Sequence, residues 1–178
     1  MNVLKTAIEG LLIFEPKIFR DDRGFFVETF QQARYAALGV GPFVQDNWSR
    51  SKKGVLRGLH FQQPRPQGKL VMVTQGAAWD VAVDIRKDSP TYGQHVSVEL
   101  TAESGRQFWV PAGFAHGFVA LTDDTDFLYK VTDVFVPEAE GSIRWDDPAL
   151  AIAWPVSSPL VSGKDQKAPL LKDAPRVF

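Results

Sequence analysis

A two-residue hydrophobic period, broken at short intervals by glycine or proline, restricts this chain more than any other feature. In Trp79-Asp80-Val81-Ala82-Val83-Asp84-Ile85 the large apolar residues take every second position, and Val96, Val98 and Leu100 repeat the pattern around Ser97 and Glu99. Successive side chains of a strand point to opposite faces, so this period predicts strands. Segments 11–19, 24–30, 55–62, 69–76, 106–111, 114–121 and 125–135 read the same way, with Gly54, Gly68, Pro90, Gly93 and Pro111 among the breaks. Only Gln31 to Leu38 reads as helix, and a short turn is expected after Pro148. Many strands with little helix predict an all-β sandwich or closed barrel. The 178 residues contain no repeat, low-complexity tract or linker, so one domain over 1–178 is expected.

A small antiparallel barrel can hold one ligand, which turns inward-facing strand positions into site positions. Tyr129 shares parity with Phe127, Val131, Asp133 and Phe135, and His60 with Leu56, Gly58 and Gln62. Arg57 has the opposite parity to His60, so a straight strand would not aim both at one pocket. A bulge at Gly58 would bring them together; service from an edge or from a neighbouring subunit is the alternative. Asp80 and Asp84 share one face. If that face is the cavity, one of them is expected to pair with Lys69 or His116; otherwise both are solvent-facing charges.

The formal net charge of −1 gives no reason to expect nucleic acid or an anionic membrane as partner. The chain has no cysteine, which excludes disulfides and thiol catalysis. It starts without a basic region and apolar core, and no run approaches the ~20 apolar residues of a membrane span, so a cytoplasmic protein is expected. Of the three histidines, His60 ends Arg57-Gly58-Leu59-His60, His116 lies in Pro111-Ala112-Gly113-Phe114-Ala115-His116, and His95 sits in a plain strand-like segment. A metal centre needs three or four convergent ligands. The histidines here lack such companions, which points to acid–base chemistry with no metal and no cofactor.

Gly105 to His116 reads G-x5-P-x-G-x2-H, which is similar to the second cupin motif, with Ala120 in place of its usual terminal Asn. The first cupin motif should supply two histidines and a glutamate, yet Gly76 to Gly93 contains no histidine. The resemblance implies a cupin-type double-stranded β-helix, a jelly-roll barrel, that has lost its metal. Phe19 to Glu28, Gln45 to Ser51, Val55 to Gln62, Gln67 to Val71, Phe127 to Lys130, Ile143 to Pro148 and Ser162 to Asp165 extend the match in order along the chain. Together they resemble the metal-independent cupin epimerases acting on nucleotide-linked 4-keto-6-deoxyhexoses.

That resemblance implies roles position by position. His60 would be the general base and Asp165 its orienting partner, Lys69 would stabilise an enolate oxygen, and Tyr129 would return a proton on the opposite face. Arg23, Glu28, Gln45, Asn47, Arg57, His116, Glu140 and Lys164 match substrate-contacting positions. The substrate implied is a dTDP-linked 4-keto-6-deoxyhexose, and the assembly implied is a homodimer with exchanged N-terminal strands. The chemistry itself calls for such a set: removing a proton beside a ketone needs a base and a donor at the developing oxyanion, and inversion needs a second proton donor opposite. Phe135 stands where relatives commonly carry an aromatic residue with a polar tip, which bears on the balance between carbons 3 and 5. A single-site epimerase, a metal-dependent cupin oxygenase and a non-catalytic sugar-nucleotide-binding cupin are the rival readings.

Overall fold

Alternating apolar residues form strands here because two layers cover the sheets from outside while a third set of side chains fills the space between them. A computed structural model describes residues 1–175 and 178. In chain order its strands begin with β1 (Asn2–Lys5), β2 (Leu12–Glu15), β3 (Ile18–Asp21) and β4 (Gly24–Val27), followed by helix α1 (Gln32–Ala36). Then come β5 (Gln45–Ser51), β6 (Val55–Gln62), β7 (Lys69–Gln75), β8 (Ala77–Asp84) and β9 (His95–Thr101). The last are β10 (Gln107–Val110), β11 (Phe114–Ala120), β12 (Thr125–Val131), a 3-10 turn at Pro137–Ala139, β13 (Glu140–Ser142), β14 (Leu160–Val161) and helix α2 (Gly163–Gln166).

One sheet has the order β1-β2-β10-β7-β12-β5, and a second has β13-β6-β11-β8-β9 with β14 parallel to β6. Strands β3 and β4 form a separate hairpin. The two large sheets face each other as a cupin-type jelly-roll barrel. Val71, Val73, Ala78, Ala82, Phe108, Phe118 and Phe127 fill the space between them. The outer face of the second sheet carries Leu59, Phe61, Val81, Val83 and Ala115, covered by Ile143, Leu150 and Leu171. On the outer face of the first sheet, Leu70 and Trp109 meet Tyr35 of α1.

This layering gives the alternation in β8 an unexpected sense. The bulky residues Val81 and Val83 face the C-terminal cover, while the Ala and Asp positions face the barrel interior. Asp80 and Asp84 are both fully buried, so neither is a solvent-facing charge. Asp84 accepts hydrogen bonds from Arg86 Nε (2.9 Å) and Nη2 (2.7 Å), Ser89 Oγ (2.6 Å) and Thr91 Oγ1 (2.6 Å). Burial pushes its carboxyl up, but these donors outweigh burial and bring it down to about 2.

Several expected boundaries shift. Segment 11–19 divides into β2 and β3 at Pro16-Lys17, because proline cannot donate to a ladder. Strand 24–30 ends at Val27, and 125–135 leaves its sheet after Val131. The expected helix forms as α1, and turns occupy Pro148–Leu150. Asp165 stands in α2, capped by Ser162 Oγ accepting from its N–H (3.1 Å).

The bulge in β6 is present. Against β11, His60 pairs with His116 and Arg57 with Phe118, so three steps along β6 match two along β11. Gly58 sits in the bulge at φ +126°, in the left-handed half of conformational space that favours glycine. A Cβ there would lie 2.6 Å from Gly117 Cα. The extra residue turns Arg57 and His60 to the same side.

Candidate active site

The open end of the barrel is a cleft with two adjoining lobes of about 450 and 330 Å³. His60, Lys69 and Tyr129 line both. Inward parity places them: Tyr129 follows Phe127 on β12, Lys69 precedes Val71 on β7, and His60 stands beside the bulge on β6. His60 therefore belongs to one wall of the cleft, and Lys69 and Tyr129 to the other.

His60 Nε2 is 2.6 Å from Asp165 Oδ1, and Asp165 Oδ2 accepts from Gly58 N–H at 3.3 Å. Burial raises the Asp165 carboxyl, but the hydrogen bond and charge of His60, with the Gly58 and Ser162 contacts, carry it below the usual range. An ionised, fixed acceptor at Nε2 holds the proton there and leaves Nδ1 as the basic nitrogen. Glu140 Oε1 lies 3.9 Å from Nδ1, and Glu140 is paired with Lys164 at the rim.

Lys69 Nζ donates to the His60 carbonyl oxygen at 3.4 Å. Burial pulls its ammonium down to about 8, against the opposing pull of Glu140 and Asp80. Tyr129 is raised, mainly by burial, with Arg57 lowering it and Glu140 raising it. His116 is buried, and its Nε2 meets Asp80 Oδ2 at 2.9 Å, forming a second imidazole–carboxylate pair in the cleft wall. Of the two aspartates on β8, Asp80 thus meets His116 and Asp84 does not. Arg57 Nε donates to Ser51 Oγ at 3.1 Å, which holds its guanidinium along the first lobe.

Of the residues expected from sequence, the cleft brings together His60, Lys69, Tyr129, Asp165, Asn47, Arg57, His116, Glu140 and Lys164. Three stand apart within this chain. Arg23 is 91% exposed on the β3–β4 hairpin beside Asp21, Glu28 pairs with Arg34, and the Gln45 amide is taken up by Asn47 and the Phe135 backbone. Phe135 lines the second lobe. Sequence reasoning missed Ser49, Ser162 and Gln67. Ser49 shares parity with Asn47 on β5, and that two-residue spacing was the available signal. Among the described residues, no three His, Cys, Asp or Glu side chains are grouped to hold a metal ion, and no helix is long and apolar enough to cross a membrane.

A jelly-roll barrel with a carboxylate-backed histidine facing a half-buried lysine and a tyrosine defines a class of cupin-type enzymes equipped for acid–base work on a bound ligand. The family model described as dTDP-4-dehydrorhamnose 3,5-epimerase matches residues 5–173. The enzyme of that name from Salmonella typhimurium is 56% identical over 98% of this chain and 97% of its own length. Its counterpart from Pseudomonas aeruginosa is 51% identical over 98% of both. A solved structure of dTDP-6-deoxy-D-glucose-3,5-epimerase from Legionella pneumophila, in complex with dTDP-4-keto-L-rhamnose, superposes with a TM-score of 0.94. It is 55% identical and covers 97% of this chain and 93% of that one. The chain belongs to the dTDP-4-dehydrorhamnose 3,5-epimerase family and is a carbohydrate epimerase.

Proposed function

We propose that this chain, as one domain over 1–178, inverts carbons 3 and 5 of dTDP-4-dehydro-6-deoxy-D-glucose to give dTDP-4-dehydro-L-rhamnose. The observation that carries this reading is His60, held at 2.6 Å by Asp165 and facing Lys69 and Tyr129 across one cleft. His60 Nδ1 takes the proton from the carbon beside the 4-keto group, and Asp165 stabilises the imidazolium that forms. Electron density moves from the broken C–H bond onto the ketone oxygen, where the Lys69 ammonium meets the developing charge. Tyr129, on the opposite wall, delivers a proton to the other face of the same carbon, completing inversion. The 4-keto group acidifies both neighbouring carbons, so one site serves both once the sugar is repositioned. No step requires a cofactor.

Arg57 and Lys164 supply charge along the first lobe for the diphosphate. Asn47, His116 and Glu140 hold the sugar. Arg23 and Glu28 reach a cleft by dimerisation: the β3–β4 hairpin exposes Phe19, Phe25 and Phe26, the last 67% exposed, and a homodimer would bury it against the partner. The reaction is proposed to run in the cytoplasm.

Proton NMR of dTDP-4-dehydro-6-deoxyglucose in deuterated water tests the reading. Deuterium should enter at carbons 3 and 5, and His60→Ala should slow both by at least about a hundredfold. Exchange at one carbon alone would make the protein a single-site epimerase. Binding without exchange would leave a sugar-nucleotide-binding barrel.

A further inference from the structure

Between the end of β12 and the 3-10 turn, residues 132–136 leave the ladder and carry Phe135 into the wall of the second lobe. Backbone outside a ladder must find other partners for its N–H and C=O groups. Here glutamine side chains from three separate places supply four of them. Gln67 Nε2 donates to the Asp133 carbonyl oxygen (2.8 Å), and Gln62 Nε2 donates to that of Val134 (3.0 Å). The Phe135 N–H donates to Gln45 Oε1 (3.0 Å), and the Val136 N–H to Gln62 Oε1 (2.8 Å).

Gln62 is central to this arrangement. It is 3% exposed, lies two residues beyond His60 on β6, and makes a further bond from Nε2 to the Arg65 carbonyl oxygen (2.6 Å). A primary amide that donates to residue 134 and accepts from residue 136 offers the segment what the peptide group of a neighbouring strand would offer. The same β6 segment therefore carries the histidine and fixes the Phe135 wall of the second lobe. Gln45 is occupied on both ends of its amide, since its Nε2 also donates to Asn47 Oδ1 (2.8 Å).

We infer that Gln45, Gln62 and Gln67 are positioning residues that clamp segment 132–136, so that Phe135 sets how the sugar ring sits over His60 and thereby the relative rates of inversion at the two carbons. This rests on the epimerase reading above. Proton abstraction requires the reacting C–H to meet the base within about 3–3.5 Å, and misplacement by about 1 Å costs on the order of a hundredfold. Carbons 3 and 5 flank the ketone, so each must be presented in its own pose. A wall that shifts disturbs the two poses unequally, whereas a general loss of folded enzyme lowers both rates together.

The test is deuterium entry at carbon 3 and at carbon 5, followed in one sample for the unmodified protein, Gln62→Met, Gln45→Leu, Phe135→Ala and the Gln62→Met/Phe135→Ala double variant. Gln62→Met keeps length and removes the amide; Gln45→Leu breaks the same clamp from a half-exposed position if the buried change prevents folding. The ratio of the two exchange rates should change several-fold in each single variant, and the double variant should match Phe135→Ala. Equal losses at both carbons with an unchanged ratio would overturn the clamp, as would a double variant whose change is the product of the singles. Exchange at only one carbon in the unmodified protein would overturn it too, because no ratio would exist to be set. Exchange at neither carbon would remove the epimerase reading itself.

Discussion

Lys69 is the residue whose environment most directly predicts a solution property. Its ammonium is half-buried in the cleft and drawn down to about 8 by desolvation, and the carboxylates of Glu140 and Asp80 are what keep it from falling further. Only the protonated lysine can stabilise an enolate oxygen. On the alkaline side, turnover should therefore fall as pH rises through about 8, where the ammonium is lost. Asp80→Asn removes one negative charge that favours the ammonium, so the alkaline limb of kcat/KM should move to lower pH. A limb that stays in place or moves upward would show that Asp80 serves only to orient His116. At this scale the sequence spoke clearly where motifs were continuous, as around His60, Lys69 and Tyr129. The shared face of Asp80 and Asp84 could be read from their spacing, but which of them meets His116 depends on the register of β8 against β11.

Among the elements, β6 decides whether the cleft exists. Its bulge aligns Arg57 with His60 and lets the Gly58 N–H meet Asp165. Gly58→Ala would force a Cβ to within 2.6 Å of Gly117 Cα at a φ that L-residues rarely adopt. It should cost at least about 2 kcal/mol, seen as a lower Tm, and should weaken activity more than the loss of folded protein accounts for. A variant with parental Tm and turnover would mean that β6 can realign without the glycine. The opposite parity of Arg57 and His60 left two readings open, a bulge at Gly58 or service from an edge or neighbouring subunit, and the register of β6 against β11 decides for the bulge. Strand β5 was not legible: Gln45-Asp46-Asn47-Trp48-Ser49-Arg50-Ser51 has no apolar alternation, since Asn47 and Ser49 border the cleft and Asp46, Trp48 and Arg50 are exposed. Helix α2 was hidden for another reason. Four residues are too few to show a helical period, so Asp165, buried against His60, was marked by the family resemblance and not by any local pattern.

At the scale of the whole molecule, the cleft of one chain lacks Arg23 and Glu28, which stand on a hairpin outside both large sheets. In the proposed homodimer each chain supplies the base to its own cleft and the hairpin to its partner's. A His60→Ala protein and an Arg23→Ala/Glu28→Ala protein should therefore complement each other once their subunits are mixed. Half of the randomly reassorted dimers are mixed, each with one intact cleft of two, so about a quarter of the parental activity should return. No recovery after verified subunit exchange would place the hairpin's residues in their own chain's cleft or in none. The exposed phenylalanines of that hairpin carry a consequence beyond catalysis. When apolar surface is buried only between two chains, folding and assembly become one mass-action equilibrium. The resistance of such a protein to heat is then set by how much of it is present, and dilution alone is a denaturant.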